Sequence, residues 1–428
     1  MSSRDFFDMY FDYVGETESP MIFHRWSIIT SVAASLGRRG YVQLGHYKIW
    51  PNMFSMLVGV SGCRKDSALN IAKALMKESG YNKFSSNKTS KEKFVSDLCD
   101  RNHLADDTDT RDLIQEIMDC KVSNTTSKPA ECFIALGEFS DFLGQNNIDF
   151  ITMLGALWDV PEQYEHRIKT GKSPFVDRPI ISILGGSTPT GFSLTFPPDI
   201  IGQGFLSRLL LIYGEPTGKR IAWPSRPSLD GNLVDRLKHI RTIPNESELT
   251  VQPDAKKLIG QIYNNNVAVN DPRFSSYQSR RHVHLLKLCG ALSCLNMDNN
   301  SCMGDITKDN VIEANTILHY TETRMPLALG EFGRGKNADV SNLIMEELVR
   351  AHDPVSIQQL WRIVGHDLNT MMDLNSIMSG LISTEKVQVV VVGNKNLFLP
   401  NHKKAASYKA EFLNKDILTD EERVTCGF

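Results

Sequence analysis

The chain lacks the features that mark secreted and membrane-spanning proteins. Its eight cysteines include no Cys-x-x-Cys pair and no histidine at zinc-binding spacing, so we expect free thiols in a reducing compartment. The N-terminal stretch from Met1 to Tyr13 is acidic and aromatic, whereas a signal peptide is basic and then apolar. No apolar run approaches the ~20 residues that a membrane helix requires. These absences predict a cytoplasmic protein that does not contact a membrane.

An excess of positive charge is also missing. The 47 Lys and Arg residues are balanced by 50 Asp and Glu residues, which leaves a formal net charge of −3. A general basic field that would bind nucleic acid is therefore excluded, and any contact with DNA must be local. Hydrophobic residues make up 41% of the 428 residues, which is typical of a globular protein with two or three domains.

Buried strands alternate with helices through the middle of the chain, which predicts an α/β fold around a mainly parallel sheet. The expected strands are apolar runs at 53–58, 132–136, 180–184 and 209–213. The expected helices have apolar residues at helical spacing and lie at 21–36, 67–77, 90–99, 111–120, 232–241, 254–266, 275–296 and 307–325.

Changes in composition divide the chain into five expected parts. They are an N-terminal helical segment (1–50), an α/β core (51–215), a helical lid (216–330), a C-terminal domain (337–400) and a tail (401–428). The C-terminal domain has helices expected at 338–351, 356–364 and 370–382, followed by a hairpin of 387–392 and 397–399. Three helices and a hairpin of this length predict a winged helix.

The loop after the first core strand has the composition of a phosphate-binding loop. Backbone amides at the start of a helix can bind phosphate oxygens, glycines permit close approach, and Lys65 can neutralise phosphate charge. We therefore expect a P-loop NTPase core that binds ATP. The expected ligands are the loop residues Gly59, Ser61, Gly62, Cys63, Arg64, Lys65, Asp66 and Ser67.

Two loop residues depart from the pattern G-x-x-x-x-G-K-[ST], because Arg64 replaces the second glycine and Asp66 replaces the hydroxyl that binds magnesium. The second strand ends in Gly137-Glu138, where an acidic pair is normal, so Glu138 stands where the catalytic base belongs. We hypothesise that Asp66 replaces the missing carboxylate and holds Mg²⁺ together with Glu138. The alternatives are a site that binds nucleotide without hydrolysing it, and a loop left empty by an internal Lys65–Asp66 ion pair.

Three later motifs resemble the minichromosome maintenance branch of the AAA+ helicases. IISILGGSTP, from Ile180 to Pro189, resembles its sensor-1 strand, and EHRIKTGKSPFVDRP, from Glu165 to Pro179, resembles its presensor hairpin. GFLSRLLLIYGE, from Gly204 to Glu215, resembles its arginine-finger motif. The order of motifs over residues 50–325 is also similar to that of phage and prophage P-loop ATPases. The resemblance implies an AAA+-like core and, for a viral protein, location in the host cytoplasm.

The same resemblance implies roles for further residues. Ser187 or Thr188 would contact the γ-phosphate or the attacking water, and Arg208 would reach the ATP site of a neighbouring subunit. Arg280 or Arg281 would contact ATP from the lid as sensor 2. The alternatives are a strand-ending turn, a surface ion pair and a solvated helix start, respectively.

DNA contacts are expected at the tip of the presensor-like hairpin, where cations flank a glycine. In a hexameric ring, Arg167, Lys169 and Lys172 would line the channel and bind phosphates of single-stranded or forked DNA, unless this is an exposed basic turn with no partner. The helix at 370–382 has no Lys or Arg, which disfavours base recognition by the winged helix and favours protein contacts. The tail, which ends in Phe428, would either dock replication proteins or fray.

The motifs together predict an ATP-driven DNA helicase or translocase subunit in viral or mobile-element DNA replication. The main alternative is a catalytically weakened, nucleotide-dependent helicase loader or assembly scaffold, favoured by Arg64, Asp66 and Gly137. An initiator that finds an origin through its winged helix is a third hypothesis, which the acidic helix at 370–382 disfavours.

Overall fold

The computed structural model describes residues 3–102, 128–165, 175–201, 204–225, 231–269, 271–295, 304–330, 336–351, 353–368, 370–383, 387–392, 395–400 and 410–425. The chain forms two compact units, one of residues 1–330 with 408–428 and one of residues 331–407. None of the described helices has the length and apolar character needed to cross a membrane.

The first unit begins with two helices and a hairpin, namely α1 (Ser3–Val14), α2 (Met21–Leu36), β1 (Gly40–Leu44) and β2 (Tyr47–Ile49). Every residue of α2 is buried, as expected of a helix that is apolar on most of its surface. It is tied to the helical layer by the Trp26 indole, which donates a hydrogen bond of 2.8 Å to the Thr321 hydroxyl. The expected helix at 21–36 is therefore confirmed.

The α/β core follows in chain order. Its elements are β3 (Phe54–Val58), α3 (Lys65–Glu78), α4 (Lys91–Arg101), β4 (Glu131–Leu136), α5 (Phe139–Leu143), α6 (Ile148–Trp158), β5 (Gln163–Glu165), β6 (Phe175–Asp177), β7 (Ile180–Ser187), α7 (Pro189–Thr195) and β8 (Leu209–Tyr213), with 3-10 turns at Pro198–Ile201 and Leu206–Arg208. All four expected strands are confirmed, and β7 runs three residues beyond its expected end at 184. The helix expected at 111–120 lies outside the described residues.

The four core strands form one parallel sheet in the order β4-β7-β3-β8, so the expected parallel α/β architecture is confirmed. The strand order places β3 in the middle, with Val58 opposite both Ser187 and Tyr213. Beyond β4, an isolated parallel bridge joins Phe84 to Phe133. Because all four strands point the same way, the loops that follow them meet at one edge of the sheet.

Helices make up most of the remainder of the first unit. They are α8 (Gly231–Ile240), α9 (Pro253–Asn264), α10 (Ser275–Gln278), α11 (Arg281–Leu295) and α12 (Lys308–Leu329), with the short strand β9 (Ser247–Glu248) and a 3-10 turn at Pro272–Phe274. The single helix expected at 275–296 is wrong in one respect, because it is divided between α10 and α11. The separation of a lid from the core stays a prediction, since residues 1–330 lie in one unit.

The second unit contains the three expected helices and the expected hairpin, which are α13 (Lys336–Ala351), β10 (Val355–Ser356), α14 (Ile357–Val364), α15 (Met371–Ser383), β11 (Val387–Val392) and β12 (Lys395–Pro400). Its antiparallel sheet has the order β10-β12-β11. Leu348, Leu360, Leu374 and Phe398 lie in a core cluster to which the helices and the sheet contribute.

The end of the chain returns to the first unit. Residues 410–425 form 3-10 turns at Ala410–Phe412 and Lys415–Ile417 and the short helix α16 (Asp420–Thr425). Glu422 and Arg25 form an ion pair of 2.7 Å in which each side chain is only 1% exposed. The expectation of a frayed terminus is therefore wrong for these residues, because a buried charge requires an ordered partner.

Candidate functional site

Four loops converge where the core strands end. The last residues of β3, β4, β7 and β8 are Val58, Leu136, Ser187 and Tyr213. In open parallel sheets, ligands bind at this carboxyl edge, where neighbouring connections diverge. Most of the residues expected to bind ATP follow β3 or β4 directly, so the sheet brings them to one place.

The loop between β3 and α3 is held closely against the sheet. The Gly59 amide donates to the Ser187 carbonyl at 3.3 Å, and the Cys63 thiol donates to the Gly214 carbonyl at 3.2 Å. A Cβ atom on Gly59 would lie 2.7 Å from the Gly214 carbonyl oxygen, so glycine is needed there. The loop is thus fixed at both ends.

The exposed middle of this loop offers free amide donors. Within the described part of the chain, the amides of Ser61, Gly62 and Arg64 donate no backbone or side-chain hydrogen bond. The first amides of α3 add to them, because a helix leaves its first N–H groups without intrahelical partners. This cradle of N–H groups fits a phosphate group.

Lys65 lies at the base of the cradle. It is 7% exposed, and its ammonium group donates to the Gly59 carbonyl at 3.2 Å. Among the described residues, no ion pair joins Lys65 to Asp66. The lysine is therefore folded back over the loop, where a bound phosphate would lie.

Arg64, one of the loop residues expected to bind nucleotide, turns its side chain away from the loop. Its backbone is left-handed, with φ of 58° and ψ of 30°, which is the conformation that a glycine would adopt without strain. Its guanidinium forms an ion pair of 2.8 Å with Glu18, outside the loop. Only the backbone of Arg64 thus remains available to a phosphate.

Asp66 and Gly137 are close neighbours, although 71 positions separate them in the chain. A Cβ atom on Gly137 would collide with Asp66 Oδ1 and would lie 2.9 Å from Asp66 Cγ. The carboxylate of Asp66 therefore occupies the space that a side chain after β4 would fill. Position 137 has no carboxylate of its own, but the carboxylate of Asp66 lies where one would be.

Glu138 lies beside this pair. Burial raises the pKa of its carboxyl group, Lys65 opposes that rise, and the negative charges of Asp66 and Asp141 add to it. Lys65, Asp66 and Glu138 therefore act on one another electrostatically. A carboxyl group with a raised pKa beside a second carboxylate and a cation is a common feature of catalytic sites.

The two hydroxyl residues after β7 differ in their contacts. Ser187 is 6% exposed, and its hydroxyl donates to the Thr188 carbonyl at 3.1 Å. The Thr188 hydroxyl accepts from the Gly191 amide at 2.9 Å and so caps α7. Ser187 is the one that borders the loop, because its carbonyl binds Gly59. Thr188 serves at least as a helix cap.

Arg208 lies at the opposite edge of the sheet from the loop. It directly precedes β8, whose five residues rise about 3.3 Å each, so roughly 15 Å separates the two edges. Its guanidinium donates to Asp159 at 2.7 Å and to the Gly204 carbonyl at 2.9 Å. Arg208 therefore cannot reach the phosphate loop of its own chain.

Of the two candidates for sensor 2, only Arg280 lies with Arg208. Its guanidinium is 3.6 Å from Asp159, and both arginines lie over the ring of Trp158, at 5.5 and 5.8 Å. Arg281 is instead buried, in an ion pair of 2.7 Å with Glu322. Of the two alternatives, Arg280 is therefore the one with an accessible charge, because the charge of Arg281 is already neutralised inside the helical layer.

Trp158 and Asp159 are residues that sequence reasoning missed. Besides the two arginines, the ring of Trp158 contacts the ammonium group of Lys287 at 4.3 Å, and burial lowers the pKa of that group to about 7. No local pattern indicates this cluster, because its members come from three separate chain segments. The dipeptide Trp-Asp at the end of an apolar helix was the only available signal.

The residues expected to bind DNA, Arg167, Lys169 and Lys172, lie outside the described residues. The strands that flank them, β5 and β6, are antiparallel, with Glu165 opposite Phe175. A hairpin base is therefore present at the expected position.

Comparison with known proteins does not assign this site to a family. No protein-family model matches the chain. A search of curated proteins likewise finds no matching relative.

Proposed function

We propose that the chain is an ATP-driven DNA helicase or translocase subunit that acts as a homo-oligomeric, hexameric ring in viral or mobile-element DNA replication. One observation carries the proposal: Lys65, Asp66 and Glu138 gather at one edge of a parallel sheet, whereas Arg208 and Arg280 gather at the other. A site of this kind is completed only by a neighbouring subunit.

The residues at the carboxyl edge fit ATP with Mg²⁺. The loop amides and Lys65 would hold the phosphates, while Asp66 and Glu138 would hold the metal. When bound, the metal would neutralise charge on the β- and γ-phosphates. Glu138 would orient and deprotonate the attacking water, and Ser187 would position that water or the γ-phosphate.

Arg208 and Arg280 would act on the nucleotide of the adjoining subunit. Two guanidinium groups held side by side by Asp159 and Trp158 concentrate positive charge at this edge of the sheet. Such groups stabilise the charge that develops on a transferred phosphoryl group. A phosphoryl group would have to replace Asp159, which is 48% exposed, as the partner of Arg208.

DNA would pass through the ring and contact Arg167, Lys169 and Lys172. Lysine and arginine bind phosphates independently of sequence, and such contacts can be made and broken as ATP is consumed. We assign the second unit to the winged-helix class, and we propose that it, with the tail, contacts replication proteins, because α15 has no Lys or Arg.

A helicase loader or assembly scaffold that binds ATP without turnover is the second candidate. The left-handed Arg64 and the glycine at position 137 favour it, because both depart from hydrolysing P-loop sites. The Asp66 carboxylate in the place of the missing acid favours hydrolysis instead.

The deciding experiment measures ATP hydrolysis with and without single-stranded DNA, together with particle mass in solution. Hydrolysis by a hexamer, stimulated by DNA, is the expected result. A ring that binds ATP without turnover would support the scaffold. If no nucleoside triphosphate binds in the presence of Mg²⁺, both candidates are wrong.

A further inference from the structure

A pocket of about 420 Å³ lies beside the phosphate loop and has no role in the scheme above. Its volume falls within the roughly 300–1,000 Å³ typical of small-molecule sites. Its walls come from the start of α2, the residues after β8, the side of α12 and the C-terminal helix α16. Four chain segments that are distant in sequence thus enclose one space.

The pocket and the phosphate loop share Gly214. The Gly214 amide donates to the Val58 carbonyl at 3.0 Å, and its carbonyl accepts from the Cys63 thiol. A second connection runs through Glu18, whose side chain accepts from Arg64 and whose carbonyl accepts from the hydroxyl of Thr217, a residue that lines the pocket. A ligand with its phosphates on the loop would therefore extend its other end into this pocket.

The residues that line the pocket determine which end of a nucleotide fits into it. Met21 and Tyr320 supply apolar and aromatic surface, which suits the face of a base. Glu215, which pairs with Arg324 at 3.1 Å, and Glu421 add carboxylates that can accept hydrogen bonds from an amino group. The pocket thus suits a nucleobase with an exocyclic amino group.

The wall that Glu421 belongs to is held firmly in place. The neighbouring Glu422 accepts two hydrogen bonds from Arg25, at 2.7 and 2.9 Å, and the Ile417 carbonyl accepts a third from the same guanidinium at 3.0 Å. Asn315 of α12 donates to the Phe412 carbonyl at 2.9 Å. Glu421 itself lies 3.7 Å from Lys219 and is partly exposed. The segment therefore holds a carboxylate at a defined position beside the pocket.

We propose that the C-terminal segment 410–425 is a wall of the nucleotide site, and that Glu421 accepts a hydrogen bond from the exocyclic amino group of the bound base. This inference rests on the proposed binding of a nucleoside triphosphate at the loop. It assigns the end of the chain to the nucleotide site, in addition to any contact with partner proteins.

The test compares two nucleotides that differ only in the amino group. Equilibrium affinities of the full chain are measured with Mg²⁺ for ATP and for purine riboside triphosphate, which lacks the 6-amino group. ATP should bind about tenfold more tightly, which is the effect of about 1.4 kcal/mol. The variant Glu421→Ala should lose most of that preference.

Glu411→Ala is the matched control, because it removes an exposed carboxylate from the same segment at a position outside the pocket. It should keep the preference for ATP. Equal binding of the two nucleotides by the unaltered chain, or an unchanged preference in Glu421→Ala, would overturn this inference while leaving the proposed function intact. Failure of the unaltered chain to bind either nucleotide would overturn the proposed function itself.

Discussion

Asp66 and Gly137 occupy adjoining positions in which only one side chain fits. The Asp66 carboxylate fills the place of a side chain at 137, and a Cβ atom on the neighbouring Gly186 would collide with the Gly137 carbonyl. The carboxylate expected after β4 is therefore present in space but is supplied by α3. This exchange leads to the most specific prediction for the site.

Moving the carboxylate from position 66 to position 137 should restore what each single change removes. Gly137→Asp alone should lower the free energy of unfolding by roughly 1–3 kcal/mol, because it overpacks the site. Asp66→Thr alone should weaken Mg²⁺-dependent ATP binding about tenfold or more, equivalent to about 1.4 kcal/mol. The double variant should recover both properties, measured by chemical unfolding and equilibrium ATP binding.

Gly260→Ala provides the control for the exchange. This glycine lies in α9 with no atom near a Cβ position, so alanine should change stability by no more than about 1 kcal/mol. If the effects of the two site substitutions on stability and on ATP affinity are strictly additive, positions 66 and 137 are independent of each other.

Glu138→Gln should reduce ATP hydrolysis by roughly 10²–10⁴-fold while ATP affinity is retained, because the amide cannot accept the proton of the attacking water. Burial raises the pKa of Glu138, so its basic form is lost at a higher pH than for an exposed glutamate. As the pH is lowered, the rate of hydrolysis should therefore begin to fall at a higher pH than it would with an exposed glutamate as the base. Steady-state rates over a pH series would measure this decline.

Asp141→Asn is the control for that pH profile. The negative charge of Asp141 contributes to the raised pKa of Glu138, so its removal should move the acid limb to lower pH with little loss of maximal rate. Undiminished hydrolysis by Glu138→Gln would remove Glu138 from the proposed role.

Arg208→Ala should reduce hydrolysis by about 10³-fold or more, although its own phosphate loop is intact. A mixture with Lys65→Ala should regain activity, because each variant supplies the half of the site that the other lacks. The roughly 15 Å between the two edges of the sheet explains why the arginine must act on a neighbour. Hydrolysis is measured for each variant alone and for mixtures at several ratios.

Arg350→Ala, which removes an exposed arginine, should leave hydrolysis unchanged. Arg280→Ala should behave like Arg208→Ala in the same mixtures. If mixtures are no more active than the sum of their components, Arg208 does not act across a subunit boundary.

Glu422→Gln should lower the free energy of unfolding by about 3–5 kcal/mol, because it leaves the buried Arg25 charge without the carboxylate that neutralises it. Asp420→Asn in the same helix should change it by no more than about 0.5 kcal/mol, since that side chain is 98% exposed. Denaturant unfolding of both variants checks the difference. Equal stability of the two would mean that the C-terminal segment contributes little to the fold.

Local sequence patterns were sufficient to predict the core strands and most of the helices of this fold. The apolar runs before Gly59, Gly137 and Thr188 predict the core strands, because a strand buried on both faces must be apolar at successive positions. The sequence likewise predicts that Lys65 and Glu138 lie close together, since each follows a core strand and parallel strands bring the loops that follow them to one edge. These inferences need only neighbouring residues and the direction of the chain.

Only tertiary structure decided the contacts between distant segments. Arg280 and Arg281 are adjacent in sequence, yet one is half-exposed beside Arg208 and the other is neutralised by Glu322, because a helix turns successive side chains in different directions. The charged end of the chain looked solvated but provides a buried partner for Arg25. Sequence therefore determined the core strands, most of the helices and the loop between β3 and α3. Packing decided which charges remain available to a ligand, because burial and neutralisation depend on residues far away in the chain.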